Sequence, residues 1–204
     1  VKDEVPARYA GSAIVKNCMV ADGCVIEGEI ENCSFSGSVS GSSTTGGLVG
    51  ENTASGVIRA SKSGGAVTGS KMTGGIVGSS RGKIVDCVNG AYVNTVNGDQ
   101  AISLENVNLD FSLDMTKLTT GDALLSSYDT GGITGYNAGT IRACENRAIV
   151  GYQHVGYNVG GIAGRSCGYI TVCQNAGAVY GRKDVGGITG QMEPYIEMQL
   201  SEST

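Results

Sequence analysis

The sequence predicts an all-β fold, a parallel β-helix or β-solenoid built from glycine-rich coils of about 26–29 residues. First, a Gly-Gly-aliphatic-x-Gly pentapeptide recurs along the chain. Second, glycine supplies 34 of the 204 residues, well above the usual level of about 7%. Third, Trp is absent and Phe occurs twice. The interior must therefore be built from small or branched side chains, which suit a narrow stack of strands.

The pentapeptide gives the period of the predicted coils. Three of the four steps between its copies are nearly equal and correspond to one coil each. The step from Gly74 to Gly131 is about twice as long, and we interpret it as one coil that carries an insertion. At the corners between short strands, glycine permits a positive φ or a close backbone approach. The fifteen motif glycines are Gly46, Gly47, Gly50, Gly74, Gly75, Gly78, Gly131, Gly132, Gly135, Gly160, Gly161, Gly164, Gly186, Gly187 and Gly190.

An Ile-x-x-Cys-x-Asn pattern follows three copies of the pentapeptide, beginning at Ile84, Ile141 and Ile170. Equivalent positions in successive coils lie one above another, so the cysteines are expected to form an internal ladder and the asparagines an amide ladder. The two predicted ladders are Cys87, Cys144 and Cys173, and Asn89, Asn146 and Asn175. Strand alternation places Ile84 and Val88 on one face, with Val85 and Cys87 on the other.

The glycine rhythm and its interruptions divide the chain. The segment before the repeats forms N-terminal hexad-like coils or a cap, and the interruption forms an insertion loop with short strands and a short helix near 122–128. The last residues form a tail. The predicted boundaries are 1–33 for the N-terminal segment, 34–97 for the first repeats, 98–129 for the insertion, 130–195 for the remaining repeats and 196–204 for the tail.

The charge and hydropathy of the chain exclude several functions. A net charge of -5 without a basic stripe argues against nucleic acid as a partner. No apolar run in the sequence approaches the length of a membrane-spanning helix, so we predict no membrane insertion within this segment. The chain opens Val-Lys-Asp-Glu without a signal peptide, which we interpret as a piece cut from a longer polypeptide.

The sequence predicts neither an enzyme nor a metal or other cofactor. Seven cysteines occur without a C-x-x-C pair, so a zinc site is not expected. The chain has a single histidine, His154, and no G-x-S-x-G motif that would supply a nucleophile for it to activate. We also considered calcium at two carboxylate pairs, although the repeat lacks the aspartate rhythm of calcium-binding β-rolls. Those pairs are Asp110 with Asp114 and Asp122 with Asp129.

Tyrosines are concentrated in the last third of the chain. If several share one face of the solenoid, they form a surface that could stack on a glycan or a protein. The alternative is that they pack against loops. The candidate binding surface consists of Tyr152, Tyr157, Tyr169 and Tyr180, with Tyr195 further along the chain.

The pentapeptide and the turn after it resemble the GLUG repeat family. The segments that carry the resemblance are GGLVGENTASGVI at 46–58 and GGITGYNAGTI at 131–141. This resemblance covers about residues 30–195 and implies an extracellular, surface-attached bacterial protein. The expected role is structural or adhesive, with a host or cell-surface glycan or protein as the partner. The family supplies no catalytic residues.

Residues 1–33 resemble a different protein, the left-handed β-helix of the regulatory-type subunit of ADP-glucose pyrophosphorylase. The resemblance lies in Val5-Pro-Ala-Arg-Tyr9 and in the stretch 20–28. Ile14, Val20 and Ile26 recur in hexads, as in a three-sided coil. The resemblance implies a regulatory fragment, because the nucleotidyltransferase domain of that enzyme is absent. A third alternative is a polysaccharide-active β-helix, which would need carboxylates of adjacent coils within about 5–10 Å.

Overall fold

The described part of the molecule is a parallel β-solenoid. The structure, a computed structural model, describes the backbone of residues 13–16, 24–26, 28–95 and 127–194, and the side chains of the last two ranges. Every secondary-structure element in these ranges is a strand, and all pairings between named strands are parallel. The predicted fold class is therefore confirmed, with about 5 turns of solenoid.

Three sheets form the three sides of the solenoid. Sheet A consists, in spatial order, of β1 (Ala13–Lys16), β3 (Gly28–Glu31), β6 (Val57–Arg59), β9 (Lys83–Val85), β13 (Thr140–Arg142) and β17 (Tyr169–Thr171). Sheet B consists of β2 (Cys24–Ile26), β5 (Val49–Asn52), β8 (Val77–Ser80), β12 (Thr134–Asn137), β16 (Ala163–Ser166) and β20 (Thr189–Met192). Sheet C consists of β4 (Ser34–Gly46), β7 (Lys62–Gly74), β10 (Val88–Val93), β11 (Tyr128–Gly131), β14 (Glu145–Asn146), β15 (Tyr157–Gly160), β18 (Gln174–Asn175) and β19 (Lys183–Gly186).

The long strand β7 explains the doubled step between the second and third pentapeptides. Its first half pairs with β10, and its second half pairs with β11, where Gly74 lies opposite Gly131. The chain therefore leaves sheet C after β10 and returns to the same coil at β11. Of the predicted insertion, 98–129, the positions 98–126 lie outside the described residues. Of its predicted helix, the structure describes only the end, where Tyr128 begins β11.

Ladders of identical or similar side chains fill the interior. In sheet A, Ile58 pairs with Ile84, which pairs with Ile141. A second ladder comes from the aliphatic residue of each pentapeptide, and its members in the earlier coils are fully buried: Leu48, Ile76, Ile133 and Ile162. Burying each such side chain contributes about 1.5–3 kcal/mol, so stacking of coils is the main source of stability.

A left-handed residue at the corner between sheets A and C changes the strand alternation. Asp86 has φ 55°, and this turn of the backbone directs both Ile84 and Cys87 into the interior, where both are buried. The predicted alternation, with Ile84 and Cys87 on opposite faces, is therefore wrong. The same corner carries positive φ in the other coils, at Asn32, Ala60, Ala143 and Val172.

The N-terminal strands belong to the same solenoid but form a shorter coil. In sheet A, Val15 pairs with Ile30, which in turn pairs with Ile58. The first of these two coils therefore uses only about half as much chain as the second. Strand β2 joins sheet B through its pairing with β5, with a register irregularity after Cys24. The described strands of the predicted N-terminal segment thus extend two of the three sheets rather than forming a separate sheet.

Candidate binding surface

The Gly-Gly pentapeptides form the corner between sheets C and B. The first glycine of each copy ends a strand of sheet C, and the last lies within the following strand of sheet B. A Cβ atom on Gly131 would lie 2.0 Å from the Thr134 carbonyl oxygen, and one on Gly132 would lie 2.2 Å from the Gly161 oxygen. One on Gly135 would lie 2.3 Å from the Met72 carbonyl carbon. None of these three has a positive φ, so close approach of neighbouring backbones is what requires glycine here.

The three cysteines of the predicted ladder are neighbours inside the solenoid. Cys87 and Cys144 are buried, Cys173 is partly exposed, and none of the three is in a disulfide. The Cys87 amide donates to the Cys144 sulfur at 3.5 Å. The Cys144 and Cys173 thiols donate to carbonyl oxygens two residues earlier in the chain, each at 3.3 Å. The thiols thus satisfy local acceptors and fill the corner between sheets A and C.

The pKa values of two thiols are raised by this packing. For Cys144, the hydrogen bond with Cys173 lowers the pKa, but the hydrogen bond with Cys87 and burial outweigh it and raise the pKa to about 12. For Cys173, the hydrogen bond with Cys144 and then burial raise the pKa. Both cysteines are therefore protonated at neutral pH and are poor nucleophiles.

The predicted amide ladder is present beside the thiols. Asn89 Nδ2 donates to Asn146 Oδ1, and Asn146 Nδ2 donates to Asn175 Oδ1, both at 2.7 Å. Ser63 Oγ begins the ladder by donating to Asn89 Oδ1 at 2.6 Å. Each amide therefore satisfies the next, as a buried polar side chain requires.

Of the four tyrosines of the predicted binding surface, three lie in sheet C or in connections between its strands, and one lies in sheet A. Tyr157 belongs to sheet C, whereas Tyr169 belongs to sheet A and is 75% exposed. Tyr152 and Tyr180 lie in connections between strands of sheet C. Tyr195 lies outside the described residues. The structure instead brings Tyr157 together with a tyrosine that sequence reasoning missed.

That tyrosine is Tyr128, which pairs with Tyr157 in sheet C. Their ring centroids lie 5.3 Å apart with an interplanar angle of 11°. Lys71 and Lys183 occupy the same position in the flanking coils. We call Lys71, Tyr128, Tyr157 and Lys183 the tyrosine stripe. The signal that identifies it is position, because all four residues precede the first glycine of a pentapeptide by three.

Cationic side chains surround the tyrosine stripe. The Arg182 guanidinium carbon lies 5.9 Å from the Tyr157 ring centroid, within cation–π range. No ion pair joins Lys71, Arg182 or Lys183 to an acidic side chain among the described residues. The stripe therefore combines aromatic rings with positive charge on a chain whose net charge is -5.

A charged cluster borders the stripe at the corner with sheet B. Arg165 contacts the Asp129 carboxylate at 2.9 Å and the Glu193 carboxylate at 3.1 Å. Asn158 Nδ2 donates to the second Asp129 oxygen at 2.7 Å. The guanidinium carbon lies 4.8 Å from the Tyr136 ring centroid. Arg165 thus connects carboxylates on different coils and fixes this corner.

A groove of about 450 Å³ runs between this cluster and the stripe, lined by Lys71, Met72, Tyr128, Asp129 and Arg165. Tyr128 and Lys71 supply an aromatic and a cationic wall. Because Asp129 is neutralised by Arg165, it is not a free carboxylate here. A second groove, about 370 Å³, contains His154 together with Gln153, Val179, Tyr180, Gly181 and Val185.

No metal site appears in the part of the chain that the structure describes, where no three His, Cys, Asp or Glu side chains form a group able to hold an ion. Of the two carboxylate pairs considered for calcium, Asp110, Asp114 and Asp122 lie outside the described residues. Within 28–95 and 127–194, no helix is long and apolar enough to cross a membrane.

The comparison with known proteins identifies one short similarity. A stretch of 32 residues is 61% identical to the glycogen biosynthesis protein GlgD of Bacillus subtilis and 56% identical to GlgD of Geobacillus stearothermophilus. The stretch is 16% of this chain and 9% of each relative. The similarity is local. The chain spans only a small part of the curated relatives that it matches.

No family model matches the chain, and no solved structure matches it. The resemblance to the GLUG repeat therefore rests on the pentapeptides alone. What the structure adds is the geometry of those pentapeptides, which form the same corner in five successive coils.

Proposed function

We propose that this chain is a non-catalytic scaffold and adhesion segment of a bacterial surface protein, with sheet C as its binding face. The observation that carries the proposal is the position of the long connections. In the last three coils sheet C is divided between two strands, and the two connections that the structure describes throughout are 147–156 and 176–182. Sheets A and B are joined by short turns, such as 81–82 and 138–139. Rigid solenoids commonly present binding loops on one face in this way.

The tyrosine stripe gives this face a chemistry for binding. Tyrosine combines a large apolar ring with a hydroxyl and loses little conformational entropy when a partner binds. Lys71, Arg182 and Lys183 add positive charge around the pair. A glycan or protein that carries carboxylate or sulfate groups is the partner that this combination favours.

The test is a binding measurement with a matched control. The purified chain is screened against immobilised acidic glycans and extracellular matrix proteins, and a hit is measured again with the double variant Tyr128→Ala, Tyr157→Ala. We expect affinity to fall at least about tenfold, because aromatic anchors dominate such interfaces. Tyr169→Ala, on sheet A and more exposed, should bind like the parent. Equal losses in both variants, or no binding partner in the screen, would contradict the proposal.

Surface location is tested separately, by labelling intact and lysed cells of the source organism with an antibody against the chain. Labelling of intact cells supports the proposal, and labelling only after lysis contradicts it.

Incubation with acidic polysaccharides, followed by detection of new reducing or unsaturated ends, tests the polysaccharide-active alternative.

A second candidate is a regulatory segment related to glycogen biosynthesis. The observation that favours it is the 32-residue similarity to GlgD. Against it, the hexad step between Ile14 and Ile26 gives way to the much longer coils of the Gly-Gly repeat. Under this alternative, adding the chain to a bacterial ADP-glucose pyrophosphorylase changes the rate of ADP-glucose synthesis. An unchanged rate at saturating chain removes this candidate.

A further inference from the structure

The C-terminal end of the described solenoid exposes apolar side chains that earlier coils bury. Ile188 is 41% exposed, whereas the equivalent Ile162 is fully buried. Val185 is likewise exposed, although its neighbour Val159 in sheet C is buried. The other large hydrophobic side chains exposed at this end are Tyr169, Val172, Tyr180 and Met192. An open end of three parallel sheets also leaves backbone donors and acceptors for another strand.

Gly187 shows what would cover this end. In every earlier coil, a Cβ atom on the second glycine of the pentapeptide would strike the carbonyl oxygen of the following coil at 2.2–2.3 Å, as at Gly132 and Gly161. At Gly187, a Cβ atom would meet nothing within 4 Å. No described contact therefore requires glycine at position 187. In the earlier coils, the carbonyl oxygen of the following coil is what requires glycine at this place.

The amide ladder ends at the same place with a donor left over. Asn89 and Asn146 each donate through Nδ2 twice, to a carbonyl two residues ahead and to the asparagine of the next coil. Asn175 makes the first of these bonds, to Gly177 at 2.9 Å. The second has no acceptor among the described residues. A further asparagine in register would supply one.

We infer that this end is a docking surface for one further coil of the same Gly-Gly repeat. Such a coil places a carbonyl oxygen over Gly187, an amide acceptor over Asn175 and an aliphatic side chain over Ile188. This inference does not depend on where the protein works or on what sheet C binds.

The experiment adds the coil. In the extended chain, a copy of the segment 169–194 follows position 194 directly, which continues all three sheets with the native step between β15 and β19. We expect the midpoint of thermal unfolding to rise by about 4 °C or more. Hydrogen exchange of the amides of 183–192 should slow at least about tenfold, because they become part of a covered coil.

Gly187→Val is the matched variant. In the parent chain it should change the midpoint by less than about 1 °C, and in the extended chain it should remove the gain. Failure of the extended chain to slow exchange at 183–192 overturns the inference. A loss of stability in the unextended Gly187→Val variant also overturns it, because part of the parent chain then already covers this end. A parent dimer in sedimentation analysis that Gly187→Val dissociates assigns the surface to a second copy instead.

Discussion

The coil that contains Gly160 and the coil that contains Gly186 share the segment Val-Gly-Gly-Ile-x-Gly but bury it differently. Ile162 is fully buried where Ile188 is partly exposed, and Gly161 is confined by backbone where Gly187 is open. The difference is the presence of a following coil. Burial in this fold is therefore a property of neighbouring coils and not of the local sequence, as expected for a quasi-one-dimensional repeat protein.

The largest difference between covered and open coils is expected at the glycines. Gly132→Ala places a Cβ atom within 2.5 Å of the Asn146 amide carbon and against the Gly161 carbonyl, so it should cost more than about 3 kcal/mol of unfolding free energy. Gly187→Ala should cost less than about 0.5 kcal/mol. Urea unfolding followed by circular dichroism measures both. Equal costs would show that the second glycine is needed within its own coil.

A smaller difference is expected in the isoleucine ladder of sheet A. Ile141 is fully buried and pairs with Ile84 and Ile170. Ile141→Ala should cost about 2–5 kcal/mol, since it leaves a cavity between two coils. Ile170 is only partly buried, and Ile170→Ala should cost about half as much. If Ile170→Ala proves the more costly change, stability is not set by coverage from the following coil.

The Cys144 thiol predicts a loss of stability at alkaline pH, although its hydrogen bond with Cys87 lowers the pKa of Cys87 and acts in the opposite direction there. The pKa of Cys144 is about 12 in the folded chain, against an ordinary value of 9.0. Because a raised pKa favours the protonated thiol in the folded state, this contribution is complete below about pH 9 and is lost as the pH rises towards about 12. Urea unfolding from neutral to alkaline pH should show falling stability, with a shallower slope in Cys144→Ala. A steeper slope in the variant would contradict this assignment.

The smallest expected effect is a gain at the open coil. Val172 has φ 55° and is 81% exposed, so a β-branched side chain adopts a left-handed conformation without packing in return. Val172→Asn should stabilise the chain by about 0.5–1 kcal/mol. Val85→Asn, whose φ is not positive, serves as the control and should give no gain. A loss of stability in Val172→Asn would show that the valine makes a packing contact.

Much of the fold could be predicted because stacking repeats the same residue at the same place. The Ile-x-x-Cys-x-Asn pattern alone predicted the amide ladder that Asn89, Asn146 and Asn175 form. The alternation around Cys87 was predicted wrongly, because nothing in the residue type of Asp86 signals its positive φ. Glycine was expected at such corners, yet in these coils the left-handed positions at this corner hold other residues.

The tyrosine stripe was harder to predict than the interior. The tyrosine stripe can be found in the sequence by comparing the position three residues before each pentapeptide. The prediction used the number of tyrosines in the last third of the chain instead, and it therefore included Tyr169, which lies in sheet A. The pairing of Arg165 with Asp129 joins residues 36 positions apart. This ion pair depends on the reach of the Arg165 side chain around the corner between two sheets, and the repeat period of the sequence does not predict that reach.

Strand β7 has a consequence for how such a chain can change. It holds β10 and β11 in place through independent pairings, with Val93 opposite Val67 and Tyr128 opposite Lys71, so their facing ends lie opposite positions close together on the same strand. The cost of closing a longer segment grows only slowly with its length. We therefore expect this junction to tolerate foreign sequence, so that a peptide epitope grafted between 95 and 127 leaves the register of the coils on either side unchanged.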